Sequence, residues 1–316
     1  MATAHEETIE RPGFHHEAVF YDGLDDLVDV LEPFVLDGVR AGEPVLVVEL
    51  PAPLRALRER LADSPEVRDG DVALVDMLEV GKNPACIIPV WREFVARHPG
   101  RAVRGVSEPS WWGRRDIELV ECRLHDALLN LAFDDTLGFR LLCPYDVGRL
   151  SDDVVTGAMH THPDVGEHVR HAPYDGQVDA RTEFGSALAE PPASAQEIVF
   201  GPPDLGLLRT SVRFIGEGAQ LAEDVVDDLV LAVHELACNS IEYAGGRGVL
   251  RGWSEGNSLV LEVSDSGVIV DPLVGREPVL DVSEGGRGIW MANHLCDLVQ
   301  VRSGAAGTTV RLHTWT

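Results

Sequence analysis

The first half of this chain alternates short, continuously apolar segments with segments of helical periodicity, and no other feature constrains its fold as much. The clearest apolar segments are 44–50 (PVLVVEL) and 139–143 (FRLLC). The clearest helical segments are 24–40, which ends just before Gly42, and 116–131. Apolar runs without polar alternation are typical of strands buried on both faces. We therefore predict an α/β fold with a mostly parallel sheet and helices on both sides.

The same patterns outline an N-terminal domain over residues 13–165. Further strands are predicted at 18–21, 72–76 and 102–106, and further helices at 54–61 and 88–96. Residues 166–199 then lose this periodicity and contain Pro173, Pro191 and Pro192. Proline-rich, aperiodic sequence of this kind predicts an interdomain linker.

A second domain with a different element order is predicted over residues 200–316. A long helix precedes a hairpin of two strands, and a glycine-rich loop, a shorter helix and a second hairpin follow. The predicted helices are 222–242 and 289–295, and the predicted strands are 249–253, 259–263, 298–302 and 308–315. Hairpin strands interleaved with helices indicate an α/β sandwich with one helical layer.

Composition excludes several classes of function. The chain has 53 acidic and 26 basic residues, a net charge of −27. This balance argues against direct binding to nucleic acid phosphates and to an anionic membrane surface. Lys82 is the only lysine, and its context, 81–84 (GKNP), does not fit the P-loop pattern. A Walker-type ATPase is therefore excluded.

The sequence predicts neither membrane insertion nor secretion. It contains no run of about 18 apolar residues. Residues 1–11 are polar and acidic, unlike a secretory signal. The five cysteines are scattered and form no C-x-x-C motif, which is typical of reduced thiols. We therefore expect a cytoplasmic protein.

Four motifs in the C-terminal domain carry the strongest chemical signal. Glu235 and Asn239 lie four residues apart, on one face of the long helix, although for this pair alone a solvated helix face is the better explanation. Asp265 follows an apolar strand directly. Residues 284–288 (EGGRG) open the next helix, where backbone N–H groups and the helix dipole favour a phosphate. Residues 307–309 (GTT) begin the last strand.

In this order and spacing the motifs resemble the GHKL (Bergerat) ATP-binding fold, especially the branch of bacterial anti-sigma factors that are also serine-protein kinases. Residues 233–240 (VHELACNS) resemble the N box, 265–267 (DSG) the G1 box, 285–288 (GGRG) the G2 box and 307–309 the closing Thr motif. The resemblance covers about residues 200–316. It implies that this domain binds ATP and Mg²⁺.

The resemblance also implies a role for each matching residue. Asn239 would bind the Mg²⁺ that bridges the phosphates. Glu235 would be the catalytic general base that takes a proton from a protein serine or from water. The remaining nucleotide contacts would come from Asp265 and Thr308 at the adenine, from Gly267 of the G1 box, and from Gly286, Arg287 and Gly288 along the phosphates. Phosphoryl transfer depends mainly on positioning and charge neutralisation, so a site without lysine is consistent with it.

The sequence departs from the family pattern in three places. Ile269 stands where the G1 box commonly has a second glycine, Tyr243 replaces a histidine often found after the N box, and the lid over 272–284 is short. These departures bear on turnover more than on binding. A histidine-kinase relative is the neighbouring alternative, but His168 and His171 stand next to Pro173 in no amphipathic helix.

The N-terminal domain contains scattered polar residues of a second kind. Cys122 and His125 are three residues apart on one predicted helix, and Cys143 and His162 are further potential metal ligands. Packing of the two cysteines as small apolar side chains is the alternative explanation, and we prefer it. Asp146 lies just beyond the carboxyl end of a strand, where open α/β sheets place their ligands.

The N-terminal domain also resembles a known family. Residues 34–48 (FVLDGVRAGEPVLVV) resemble RecA-like ATPases of the circadian-clock type. Together with 16–21 (HEAVFY) and 143–146 (CPYD), they resemble the MEDS sensory domain over about residues 13–165. The resemblance implies a RecA-like domain that has lost its P-loop and senses a small molecule. Its pocket would lie near His16, Tyr21, Glu108, His125 and Asp146.

The two resemblances together imply a signalling regulator. A small-molecule sensor would be coupled to an ATP-binding domain that sequesters a sigma factor and phosphorylates a serine of an anti-sigma antagonist. Two alternatives remain open: a non-catalytic ATP-binding partner-switch module, and a histidine-kinase-related protein. The family analogy also favours a homodimer.

Overall fold

The protein folds into two sheets with different topologies. The computed structural model describes residues 13–68, 70–166, 169–170, 174, 176–277 and 287–316. Within these ranges the N-terminal sheet has seven strands and the C-terminal sheet has five. No helix of the described residues is both long enough and apolar enough to cross a bilayer.

The N-terminal sheet is parallel along its five longest strands, as predicted. Its strands are β1 (Phe14–Tyr21), β2 (Val45–Glu49), β3 (Val72–Asp76), β4 (Val103–Ser107), β5 (Phe139–Asp146), β6 (Asp164–Val165) and β7 (Val169–Arg170). They are arranged in the order β3-β2-β4-β5-β1-β6-β7, and only the short β7 runs antiparallel to its neighbour. The helices are α1 (Leu24–Ala41), α2 (Pro51–Ala62), α3 (Met77–Val80), α4 (Ile87–Ala96), α5 (Asp116–Ala132) and α6 (Asp152–Thr161).

The packing of β2 on both of its faces explains its run of apolar residues. Val45 and Val47 pack into the core under α1 and α2, while Leu46 and Val48 pack into the core on the opposite face, which includes Trp91 of α4. All five strand residues are buried. Successive side chains of a strand point to opposite faces, so a strand covered on both sides must be apolar throughout.

The C-terminal sheet is antiparallel and has one helical layer, in agreement with the predicted sandwich. Its strands are β8 (Gln196–Phe200), β9 (Gly248–Glu255), β10 (Ser258–Asp265), β11 (Leu298–Gly304) and β12 (Gly307–Trp315). They are arranged in the order β11-β12-β10-β9-β8. The helices are α7 (Gly176–Gly185), α8 (Leu205–Gly218), α9 (Glu223–Tyr243) and α10 (Arg287–Leu295). Helices α8, α9 and α10 share one apolar core with the strands.

The segment predicted as a linker, 166–199, is more ordered than its sequence suggests. It contains α7, and β8 begins at Gln196, inside the range assigned to the linker. Helix α7 buries Ala180 and Phe184, and Glu183 forms an ion pair with Arg123 of α5. Its few apolar residues show almost no amphipathic periodicity, so tertiary contacts rather than local pattern specify this helix.

A buried polar contact joins the two domains. The Glu121 carboxylate of α5 accepts hydrogen bonds from Arg302 Nη2 at 2.5 Å and from Gln300 Nε2 at 3.0 Å, both on β11. A second contact links Asn83 Nδ2 to the backbone oxygen of Asn293 in α10, at 3.0 Å. All five side chains are buried. The structure thereby fixes the C-terminal sheet and α10 against the N-terminal domain.

We expect Glu121→Ala to destabilise the full-length protein strongly. The change leaves the Arg302 guanidinium buried without its carboxylate, which typically costs about 3–5 kcal/mol. Glu183→Ala is the matched control, because it removes a more exposed ion pair with Arg123, which lies on the same helix α5 as Glu121. This change should cost about 0–1 kcal/mol. Urea unfolding followed by circular dichroism measures both variants, and equal effects would contradict a special role for Glu121.

Candidate nucleotide-binding site

A cavity of about 300 Å³ lies between the helical layer and the sheet of the C-terminal domain. It is lined from α9, α10, β10 and β12, and from the loop that follows Asp265. Four of the residues predicted to contact the nucleotide line it: Asn239, Asp265, Gly267 and Thr308. The remaining wall is mostly apolar, which suits a planar aromatic base.

The Asp265 carboxylate is held in one orientation at the end of β10. Its Oδ2 accepts a hydrogen bond from Ser240 Oγ at 2.6 Å, and its Oδ1 accepts one from the Gly267 backbone N–H at 2.8 Å. Each carboxylate oxygen has a further lone pair. This arrangement can accept a hydrogen bond from an exocyclic amino group of a base.

Ser240 is a site residue that the sequence did not indicate. A serine inside a helix commonly donates to the carbonyl one turn earlier, and Ser240 Oγ also lies 3.2 Å from the Leu236 oxygen. Its shorter contact is with Asp265, 25 residues away. The only sequence feature that could have pointed to Ser240 is its position next to Asn239.

Thr308 belongs to a hydroxyl network beneath the same loop. Its Oγ1 donates to the Gly267 carbonyl at 2.8 Å, so the Ser303 hydroxyl, 2.8 Å away, donates to Thr308. Ser303 Oγ in turn accepts the Ile269 backbone N–H at 2.8 Å. The network ties the G1-like loop to β11 and β12 and uses the backbone of Ile269, the position that departs from the family's glycine.

Glu235 and Asn239 lie where α9 meets the start of α10. Both are half-buried. A Cβ on Gly288 would lie 2.6 Å from Asn239 Nδ2 and 3.2 Å from the Glu235 backbone carbon, so a larger residue here would displace the Asn239 side chain. Arg287 is exposed at the start of α10, and Gly286 lies outside the described residues. The structure therefore brings Glu235, Asn239 and Gly288 together beside the cavity.

The five residues predicted for the sensor pocket fall into two groups on opposite faces of the N-terminal sheet. His16 and His125 are buried on the face covered by α5. Tyr21 packs on the other face, under α1 and α2, and its hydroxyl donates to Glu108 Oε1 at 2.7 Å. Asp146, at the end of β5, is close enough to Glu108 to influence its titration. One strand, β1, carries both His16 and Tyr21, an odd number of residues apart, so they point in opposite directions.

Burial raises the pKa values of Tyr21, Glu108 and the neighbouring Glu49. Desolvation raises the pKa of Glu108 to about 7, and desolvation and the neighbouring Glu108 carboxyl raise the pKa of Glu49 well above its ordinary value. Desolvation, followed by the charge of Glu108, raises the pKa of Tyr21. Clustered buried acids with raised pKa values are more common at functional sites than elsewhere.

We expect nucleotide affinity to fall about tenfold in Gly288→Ala. The added methyl group would clash with the side-chain amide of Asn239 and crowd the backbone of Glu235, and overpacking of this kind costs about 1–3 kcal/mol. Gly206→Ala in α8 is the control, because a Cβ there meets nothing within 4 Å. Titration of each variant with a fluorescent ATP analogue and Mg²⁺ measures the change. Unaltered affinity in Gly288→Ala would contradict the proposed approach of the helices to the ligand.

We expect the free energy of unfolding to fall as the pH rises from about 5 to 8, because of the Glu49–Glu108 pair. A carboxyl whose folded-state pKa is raised binds more protons in the folded than in the unfolded state between the ordinary pKa of 4.5 and the raised one. Glu108→Gln should remove a change on the order of 3 kcal/mol across this window. Urea titrations at each pH test this. The control is Glu93→Gln, which alters an exposed carboxyl on α4, and an identical pH slope in the two variants would refute the expectation.

Two family models match different parts of the chain. Residues 15–163 match the family described as MEDS, the methanogen/methylotroph DcmR sensory domain. Residues 201–314 match the family described as the histidine kinase-like ATPase domain.

One curated relative is the serine-protein kinase RsbW of Halalkalibacterium halodurans. It is 27% identical over 110 residues, which cover 31% of this chain and 68% of that protein. A crystal structure of the RsbU and RsbW domains of a Mycobacterium tuberculosis protein is similar at 20% identity and a TM-score of 0.30, covering 39% of this chain and 33% of the other. The chain therefore spans only a third of that solved structure. It carries a MEDS domain over residues 15–163, followed by a histidine kinase-like ATPase domain over residues 201–314.

Proposed function

We propose that this protein is an ATP-dependent regulator of the partner-switching type, in which a MEDS sensor controls an RsbW-like kinase domain. The observation that carries the proposal is the cavity in which the oriented Asp265 carboxylate lies near the Glu235–Asn239 pair. The similarity to a serine-protein kinase supports the same reaction. We place the protein and its partners in the cytoplasm.

The chemistry of the site fits a Mg²⁺-bound nucleotide. Asp265 and Thr308 are arranged for an adenine edge, and the Asn239 side chain offers an amide oxygen, a ligand type that Mg²⁺ accepts. ATP supplies the transferable phosphoryl group when bound. Glu235 is half-buried one helical turn before Asn239, and in our proposal it takes the proton from the hydroxyl of a partner's serine.

The partners in this proposal are a sigma factor and an anti-sigma antagonist. The sigma factor is sequestered by the ATPase domain, and the antagonist displaces it until its serine is phosphorylated. Ile269 and Tyr243 favour a second candidate, an ATP-binding switch without phosphotransfer, because both line the cavity at positions that depart from the family pattern.

Contacts across the domain boundary supply a route by which the sensor acts on the ATP site. Residues 273–277 and α10 lie on either side of 278–286, the segment that precedes Gly288 in the G2-like motif. Leu273 packs on the N-terminal core, and Glu277 forms an ion pair with Arg92 at 2.7 Å. On the other side, Asn293 contacts Asn83 and donates to the Gly275 oxygen at 2.7 Å. A ligand that favoured one arrangement of the N-terminal domain would thereby shift α10 and Gly288.

Two variants should separate nucleotide binding from phosphotransfer. Asn239→Ala should abolish Mg-ATP binding, because it removes the metal ligand. Glu235→Gln should retain binding within about threefold but lose at least about a hundredfold in phosphorylation of the antagonist, since general-base catalysis typically contributes 10²–10⁴-fold. Glu223→Gln, an exposed change on the same helix, is the matched control.

The assay uses the full-length protein, labelled ATP and a candidate antagonist co-purified with the protein. Phosphoserine on the antagonist supports a kinase. ATP binding without transfer supports the switch module. Phosphohistidine on the chain itself, or Mg-ATP binding unchanged in Asn239→Ala, would overturn the proposal.

A further inference from the structure

Three potential metal ligands converge inside the N-terminal domain, away from the nucleotide site. They are His16 on β1, Cys143 on the neighbouring β5 and His162 at the end of α6. All three are buried completely, and one ligand atom from each lies within 4.8 Å of the other two. His16 Nε2 is 3.3 Å from Cys143 Sγ, and the rings of His16 and His162 are 3.9 Å apart.

The hydrogen bonds around His16 orient its Nε2 lone pair toward the sulfur. Asn130 Nδ2 donates to the backbone oxygens of Asp126 at 3.0 Å and Thr161 at 2.8 Å, which defines the orientation of its amide. Asn130 Oδ1 is therefore an acceptor, and His16 Nδ1, 3.1 Å away, donates to it. His16 Nε2 consequently carries the free lone pair on the side of Cys143.

In His162, as in His16, Nδ1 donates a hydrogen bond and Nε2 carries the lone pair. Its Nδ1 lies 2.8 Å from the Ala158 backbone oxygen, which can only accept, so Nδ1 carries the proton. Its Nε2 is buried and has no hydrogen-bond partner among the described residues. A buried nitrogen lone pair without a partner is costly. In metal sites a histidine typically donates its other N–H to a carbonyl or amide oxygen in this way.

We propose that His16, Cys143 and His162 bind one thiophilic transition-metal ion of the zinc class. One thiolate and two neutral imidazoles form a donor set that Zn²⁺ prefers, and three protein ligands leave a coordination position open for a small molecule. Zinc bonds of about 2.0–2.3 Å at tetrahedral angles separate ligand atoms by roughly 3.5 Å. The observed 3.3 Å between His16 Nε2 and Cys143 Sγ is close to this spacing.

The surroundings set the protonation that such an ion needs. Nδ1 of each ring donates to an oxygen acceptor, so Nε2 of each neutral imidazole is the nitrogen that can bind the ion. Cys143 would bind as the thiolate, so binding would release the thiol proton to solvent. The buried Asp126 carboxyl lies close enough to interact electrostatically with Cys143, and its Oδ2 accepts a hydrogen bond from Tyr145 at 2.7 Å.

Two nearby residues, His125 and Cys122, do not belong to the proposed metal site. His125 is buried, neither of its ring nitrogens has a hydrogen-bond partner within the described part of the chain, and it interacts electrostatically with both His16 and His162. It lies outside the three-residue cluster. Cys122, which the sequence associated with His125, instead lies 3.2 Å from the Pro109 oxygen, to which its thiol donates.

The test is a Co²⁺ titration of the chelator-treated, full-length protein, with Zn²⁺ as competitor. We expect one Co²⁺ per chain, thiolate-to-cobalt charge-transfer absorption and the intense visible bands of a four-coordinate ion, all displaced by one equivalent of Zn²⁺. Cys143→Ser should remove the charge-transfer band. His162→Gln should weaken binding at least tenfold, and Asn130→Ala about 10–100-fold, as for other residues that orient metal ligands.

Cys122→Ser is the matched control, because it removes a buried thiol of the same domain outside the cluster, and it should leave the spectrum unchanged. Circular dichroism checks the folding of each variant. If Cys143→Ser does not fold, the wild-type spectrum and His162→Gln decide the question. Wild-type protein without stoichiometric Co²⁺ or without the thiolate band, or a band that survives in folded Cys143→Ser, would show a Cys–His hydrogen bond only. These readouts involve no ATP, so their failure would leave the proposed kinase function standing.

Discussion

The buried carboxylate of Glu121 is the interaction on which the relation between the two domains depends. It lies on α5 of the parallel-sheet domain and accepts hydrogen bonds from Arg302 and Gln300 on β11, an edge strand of the antiparallel sheet. A charge buried to this extent is tolerable only with its partners in place. The pair therefore specifies one docking of the domains and holds α10, with its motif glycine, against the sensor domain.

Because of this docking, the candidate nucleotide site is linked to the N-terminal domain through α10. Asn293 lies on the same helix as Gly288, and its backbone oxygen accepts a hydrogen bond from Asn83 of the sensor domain. On the opposite side of the undescribed segment, Glu277 is paired with Arg92. The described residues on either side of 278–286 thus both contact the N-terminal domain. Coupling in this proposal requires only that the sensor have two arrangements that position these anchors differently.

Both candidate sites operate without lysine, and they do so by different means. In the ATPase domain, carboxylate and hydroxyl groups are held by hydrogen bonds, as Ser240 holds Asp265 and Ser303 contacts Thr308. In the sensor domain, a thiol and two imidazoles meet in a fully buried space, where Asn130 sets the proton position on His16. In each case a neutral side chain orients the group that would contact the ligand. Neither orienting residue has a distinctive sequence pattern.

Much of the fold could be predicted because it follows from local patterns. The continuously apolar β2 required two covered faces, and Gly42 ends α1 in the left-handed conformation, with φ of 68°. Helix α7 could not be predicted, because its sequence has little amphipathic pattern and its stability comes from packing on α5 and β11. The ATP-site residues were predicted only through a family resemblance, since a glutamate and an asparagine on one helix face are unremarkable alone.

The sequence by itself determined the class of each domain, the absence of a P-loop and the residues available for nucleotide binding. The tertiary structure decided which of the polar residues meet. His16 and Cys143 are 127 positions apart in the chain, and Glu121 and Arg302 are 181 positions apart. His16 and Tyr21 lie on opposite faces of one sheet, because successive side chains of a strand point in opposite directions. Such convergence depends on long-range strand pairing and domain docking, which no local periodicity encodes.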